Sequence, residues 1–180
     1  MKERLEKELT AIYPADEPGA TVIAIRDGEI IFREAYGLAN VELMVPMKPD
    51  MVFKLGSMTK QFTAIATMIL EERDSLDLDD PLTEYFPDYP VNENVITIRH
   101  LLSHTSGIPN YNGTYNYYGL PEWEGKIHQK ITPEEIIDIL KTGKIQFIPG
   151  DEWRYCNSGY TLLAKLMRNF SLKIFLSLQE

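Results

Sequence analysis

An α+β fold is predicted for this chain, a helical region joined to part of an antiparallel sheet. Three observations predict it. Residues 20–36, "ATVIAIRDGEIIFREAY", contain two β-rich runs around Asp27-Gly28, and that dipeptide suits a tight hairpin because both central residues of a type I′ turn need positive φ. From about Ser57 to Arg73, Met58, Phe62, Ile65, Ala66 and Ile69 recur at helical spacing. Beyond that point helix signals recur and strand signals are scarce.

The elements can be taken in order. "MKERLEKELTAIYP" alternates charge with Leu5, Leu9 and Ile12, which reads as an amphipathic surface helix ended near Pro14. It lacks the unbroken apolar core of a signal peptide, so a cytoplasmic location is the default expectation. After the hairpin, Val52 to Leu55 is a short extended lead-in to the Ser57 helix. "LDLDDPLTEYFPDYP" is acidic and punctuated by proline, so it is read as a surface connection. Thr97 starts the next helix, "ITIRHLLSHTSG", which Gly107 is expected to stop. "TPEEIIDILKTG" has Thr132 as N-cap, Pro133 at N1, Glu135 at N3 and Gly143 past the end. The last helix starts near Ser158 and runs through "YTLLAKLM". No internal repeat or low-complexity segment occurs.

Composition narrows the function classes. A chain of 180 residues, 44% hydrophobic and 25% charged, is that of a soluble globular protein and suits one domain or a piece of a larger one. A net charge of −9 excludes a nucleic-acid partner, since neutralising phosphates needs clustered Lys and Arg. No apolar run is long enough to span a bilayer. The single cysteine, Cys156, rules out an internal disulfide and a zinc-type cluster.

Two short motifs carry chemistry. In "KLGSMTK", Ser57 precedes Lys60 by three residues at the start of a helix. There the two side chains share a face, free N–H groups can stabilise an oxyanion, and the macrodipole disfavours a charged lysine. A lysine that gives up its proton can serve as base for the hydroxyl. Seven serines and eleven lysines in 180 residues give roughly 0.4 chance matches to S-x-x-K, so the motif alone leaves a second reading open, an N-cap serine beside a solvated lysine. The other motif is Tyr155 and Asn157 in "FIPGDEWRYCNSGYTLLAKL". A tyrosine near a cationic lysine can have its phenolate favoured and relay protons, and an asparagine offers both donor and acceptor to an amide or ester.

Together, "FKLGSMTKQFTAIATMILEE", "LDLDDPLTEYFP", "ITIRHLLSHTSGIPNY" and "FIPGDEWRYCNSGYTLLAKL" resemble, in order, the signature blocks of the serine β-lactamase-like hydrolases of the class C type. That family includes class C β-lactamases, D-alanyl-D-alanine carboxypeptidases, D-aminopeptidases and many esterases. The resemblance runs from about Gly19 to Met167 and implies a β-lactamase/transpeptidase-like fold. No S-D-N occurs, so the class A pattern fits less well. Carried over, the resemblance makes Ser57 the acylated nucleophile and Lys60 its proton acceptor. Tyr155 becomes general base or proton relay, and Asn157 a partner of substrate and lysine. The Ser57 N–H supplies half of the oxyanion hole. Cys156 stands where serine is common in the family and reads as a tolerated small residue. The implied substrate is a small-molecule amide or ester (a β-lactam, a D-amino-acid peptide or a carboxylic ester), with no cofactor and no metal.

Other candidates read differently. Lys141-Thr142-Gly143 spells the family's third motif but closes a capped helix and precedes Tyr155, whereas the family's copy follows Y-x-N on a strand. His100 and His104 have a metal-ligand spacing, i and i+4, yet no cysteine or H-E-x-x-H accompanies them. Packing and hydrogen bonding are expected of them, and metal-dependent hydrolysis is the alternative. His128 has no evident partner. Ser106 and Ser158 are expected to cap helices. The tyrosine-rich loop "NYNGTYNYYGLPEWEG", residues 110–125, suits either a cleft border or a plain surface loop.

The chain departs from the family in one respect. Only 23 residues follow Asn157, without a K-T-G or H-x-G among them, and the family continues into strands that complete the sheet. Residues 1–180 are therefore expected to be a single partial domain: a helix in 1–15, hairpin and lead-in strand in 19–55, and a helical region in 56–170. Loss of half an oxyanion hole is worth roughly 10²–10³ in rate. The unpaired hairpin edge invites self-association or a partner chain. A catalytically inactive remnant or interaction module therefore stands beside the hydrolase as the second reading.

Overall fold

The structure, a computed structural model, describes residues 2–111 and 132–177. The chain divides into two compact units, Met1–Leu55 and Gly56–Glu180. Most of the tyrosine-rich loop and His128 lie outside the described residues.

The first unit contains helix α1 (Lys2–Ile12) and strands β1 (Ala20–Arg26), β2 (Glu29–Tyr36), β3 (Leu38–Asn40) and β4 (Val45–Pro46). β1 and β2 pair antiparallel, Ala20 opposite Tyr36 and Arg26 opposite Glu29, with a bulge at Ala24/Ile25. The turn between them has φ of 50° at Asp27 and 82° at Gly28, the two positive angles that the dipeptide predicts. β3 and β4 form a second small hairpin, in which Asn40 Oδ1 accepts a hydrogen bond from the Leu43 N–H at 2.7 Å. Phe32 and Leu38 are buried here, while Ile23, Ile25 and Ile30 are exposed. Among the described residues no third strand pairs with β1 or β2.

The second unit opens with a 3₁₀ turn, Gly56–Met58. It continues through α2 (Thr59–Glu72), α3 (Leu82–Tyr85), α4 (Ile98–Leu102), α5 (Pro133–Thr142) and α6 (Asn157–Ser177). α6 is its spine and packs against α2, α4 and α5. Leu162, Leu163 and Leu166 on α6 are almost wholly buried with Leu101 of α4 and Leu140 of α5. Polar ties reinforce this packing. The Tyr160 hydroxyl donates to the Leu102 carbonyl at 3.0 Å, and Lys165 Nζ lies 2.7 Å from Glu134 Oε1. Because Leu163 touches no solvent, Leu163→Ala is expected to destabilise this unit by about 2–5 kcal/mol through lost burial and a residual cavity. The midpoint of urea unfolding measures it.

Caps follow the sequence closely where they are local. Thr132 and Glu135 make the reciprocal capping box of α5, with Pro133 in its first turn. Gly143 ends α5 at φ −81°, so its left-handed freedom is not used. Lys141 lies 3.8 Å from Asp138, and K-T-G is thus a helix terminus.

The structure departs from several expectations. α4 ends at Leu102, five residues before Gly107, where His104 takes φ 61° and its carbonyl and Nδ1 accept from the distant Arg154 and Cys156 N–H groups. His100 and His104 consequently share no helix face, which removes the i, i+4 metal geometry, and no metal-binding cluster occurs among the described residues. The apolar series Met58, Phe62, Ile65 and Ile69 on α2 is exposed, whereas the buried positions of that helix are Thr67 and Leu70. Ser158 does not cap α6. It is buried, donates to the Pro109 carbonyl at 2.6 Å and accepts from the Tyr111 N–H at 2.9 Å. Ser106, also buried, accepts from the Ile108 N–H at 3.3 Å in a local turn. Among the described residues no helix is long and apolar enough to cross a membrane.

Candidate active site

Gly56 has φ 56°, a left-handed backbone that a side chain strains, and it swings the chain into the 3₁₀ turn that carries Ser57. Ser57 therefore lies ahead of the first residue of α2. The N-cap is Met58, with no side-chain cap bond, so the N-cap reading of Ser57 does not hold. Its hydroxyl is instead 2.5 Å from the hydroxyl of Tyr155, 98 residues away.

Lys60 is the second residue of α2, three residues after Ser57, and is half-buried. Its Nζ donates to Asn157 Oδ1 at 2.5 Å and lies 4.7 Å from the centroid of the Tyr155 ring and 5.4 Å from that of Tyr160. All four sequence candidates, Ser57, Lys60, Tyr155 and Asn157, are thus drawn into one cluster. Tyr155 is where the electrostatics act. Desolvation pushes its phenol up, and hydrogen bonds with Lys60 and Ser57, together with the lysine charge, outweigh this and bring it below the ordinary value. A phenol so placed gives up its proton more readily than one in water.

Side chains from elsewhere hold the cluster. Asn157 begins α6, and its N–H donates to Asn110 Oδ1 at 3.1 Å. Cys156 is buried, its Sγ donating to the Ile108 carbonyl at 3.3 Å. Burial pushes the thiol up, against the character of a reactive thiolate. His104 Nδ1 accepts from the Cys156 N–H at 3.1 Å, and His100 Nδ1 accepts from the Thr97 N–H at 3.2 Å, where it helps cap α4. Both histidines therefore serve hydrogen bonding. Sequence reading did not single out Asn110, although it lies at the end of the quoted block "ITIRHLLSHTSGIPNY". A cleft of about 360 Å³ adjoins the cluster, lined by Lys60, Thr63, Tyr111, Asn157, Tyr160 and Arg168 among others.

Residues 3–173 match the family described as Beta-lactamase. The chain belongs to that family. A penicillin-binding protein of Bacillus subtilis (strain 168) is 32% identical over 177 residues, 95% of this chain and 38% of that protein. Esterase EstB of Burkholderia gladioli is 35% identical over 153 residues, 76% of this chain and 37% of the esterase. Among solved structures, D-amino acid amidase of Ochrobactrum anthropi SV3 superposes with a TM-score of 0.75 at 26% identity, covering 93% of this chain and 45% of the amidase. The octameric penicillin-binding protein homologue of Pyrococcus abyssi gives 0.71 at 32% identity, covering 94% and 38%. This beta-lactamase-family chain has the expected α+β, β-lactamase/transpeptidase-like fold, and spans less than half the length of these relatives.

Proposed function

We propose that this beta-lactamase-family chain is a serine hydrolase that acts through an acyl-enzyme on a small amide or ester. Ser57 Oγ attacks the carbonyl carbon, its proton passing to the Tyr155–Lys60 pair. The same pair returns a proton to the departing amine or alcohol, and water then releases the acid and restores Ser57. Asn157 holds Lys60 through its carbonyl oxygen and leaves its amide N–H groups to a substrate. The Ser57 N–H is assigned as an oxyanion donor. One observation carries this reading: a hydroxyl–phenol contact and an amine–carboxamide contact, each of 2.5 Å, interlocked at the tip of α2. An esterase and an amidase among the relatives support the amide-or-ester class. The test is mass spectrometry after exposure to a fluorophosphonate or penicillin. An adduct on the Ser57 peptide is expected, and folded protein that forms none defeats the reading.

A second reading, an inactive interaction module, is favoured by the exposed apolar face of α2 and by a β1–β2 hairpin that no third strand pairs among the described residues. With either reading we propose self-association or a partner chain through the hairpin edge, because unpaired strand N–H and C=O groups template further pairing. The octameric Pyrococcus abyssi homologue is in keeping with self-association. Light scattering is expected to find species heavier than the 20.7 kDa chain, and a sharp monomer at micromolar concentration would rule self-association out.

A further inference from the structure

We propose that His104 is a positioning residue that holds Tyr155 in register with Ser57, an inference that rests on the acyl-enzyme reading. His104 grips the chain on both sides of Tyr155. Its carbonyl accepts from the Arg154 N–H at 2.9 Å, and its Nδ1 accepts from the Cys156 N–H at 3.1 Å. Its ring also packs against the Tyr155 ring, with centroids 4.7 Å apart, and against the Tyr160 ring at 5.1 Å. Tyr160 is in turn anchored to Leu102. Backbone and ring of Tyr155 are thus both set by one residue, through its carbonyl and its ring, and that residue sits in a left-handed conformation at φ 61° that histidine and asparagine tolerate better than most residues.

The grip depends on the charge state of the ring. An imidazole that accepts at Nδ1 is neutral with its proton on Nε2. Protonation turns Nδ1 into a donor facing another donor, the Cys156 N–H, and the bond is lost. The titratable and charged groups facing His104 are Lys60 from α2, Arg154, Tyr155 and Cys156 from the segment that leads into α6, and Tyr160 from α6. Burial, then the charge of Lys60, hold the imidazole below its ordinary value. The grip is therefore intact at neutral pH and released in acid, below the ordinary histidine range.

Three proteins, wild type, His104→Phe and His104→Asn, are compared by the rate of fluorophosphonate labelling at Ser57 across pH 4.5–8. Phenylalanine keeps a ring without an acceptor, and asparagine places Oδ1 where Nδ1 stood. His104→Phe is expected to label about 10- to 100-fold more slowly, as a misplaced reacting group does. His104→Asn should stay within about 5-fold at neutral pH, because its oxygen still accepts, and its acid limb should lose the additional fall that histidine protonation adds to the phenol's own limb in wild type. Equal labelling by His104→Phe and wild type, or an unchanged acid limb in His104→Asn, would overturn the inference. If His104→Phe fails to fold, the asparagine variant and the pH profile still decide. If wild type takes no label at all, the acyl-enzyme reading has failed. The grip is then read from the Cys156 amide resonance, which should shift with histidine titration in wild type and stay fixed in His104→Asn. A Cys156 resonance that ignores pH in wild type would end the proposal on its own.

Discussion

Replacing Ser57 with alanine is expected to abolish fluorophosphonate labelling of the chain and to lower turnover of an activated ester by at least about 10³. The expectation follows from the isolation of that hydroxyl. Ser57 precedes the helix N-cap, caps nothing, and is bonded only to the Tyr155 phenol among the hydrogen bonds described for its side chain. Removing it deletes an exposed oxygen, so stability should be nearly unaffected and any lost labelling reports chemistry. The Cys156 thiol offers no substitute nucleophile, because it is buried and donates to the Ile108 carbonyl. Peptide mapping of wild type and Ser57→Ala settles the matter. Undiminished labelling in the variant would transfer the nucleophile to another residue and remove the assignment of the whole cluster.

The second large effect is expected from Lys60→Met. Methionine keeps much of the stem of Lys60 but removes the donor to Asn157 and the cation beside the Tyr155 ring. Desolvation, already the largest influence on Tyr155 and an upward one, would then act with less opposition. A reaction that needs the phenolate speeds up as pH rises toward the phenol's pKa and levels off above it. In wild type that pKa lies below the ordinary value of 10, and in the variant the rising limb should move to higher pH. At neutral pH the labelling rate should fall by about 10²–10⁴, the usual contribution of a positioned acid–base group. A slower variant whose limb stays in place would mean that Lys60 acts directly on the Ser57 hydroxyl and leaves Tyr155 a bystander.

The reciprocity of these contacts explains why four common residue types form a site. Ser57 and Lys60 are three residues apart where the 3₁₀ turn runs into α2, and Tyr155 and Asn157 are two apart where the chain enters α6. Each pair alone is a frequent pattern. Packing of α6 against α2, fixed by the buried leucines of α6, brings the pairs within hydrogen-bond distance across 97 and 98 residues of chain. The same packing leaves the Met58, Phe62, Ile65 and Ile69 face of α2 exposed.

The sequence by itself determined what depends on a few neighbouring residues. Asp27-Gly28 specified its turn because two adjacent positive φ angles suit few other pairs. Thr132, Pro133 and Glu135 specified the start of α5 because a capping box closes within four residues. The ordered motif blocks carried the four site candidates for the same reason, since each pair is local. Tertiary structure alone decided which face of α2 is covered, where α4 stops and what the buried serine and histidine hold. Ser158 reads as a cap until its hydroxyl is seen bonded to residues 109 and 111, and the packing expected of His104 has no named partner until its ring is found against Tyr155. Hydrophobic periodicity states that a helix has an apolar face but not what will bury it. A side-chain acceptor likewise has no preferred donor until folding brings distant N–H groups within about 3 Å of it.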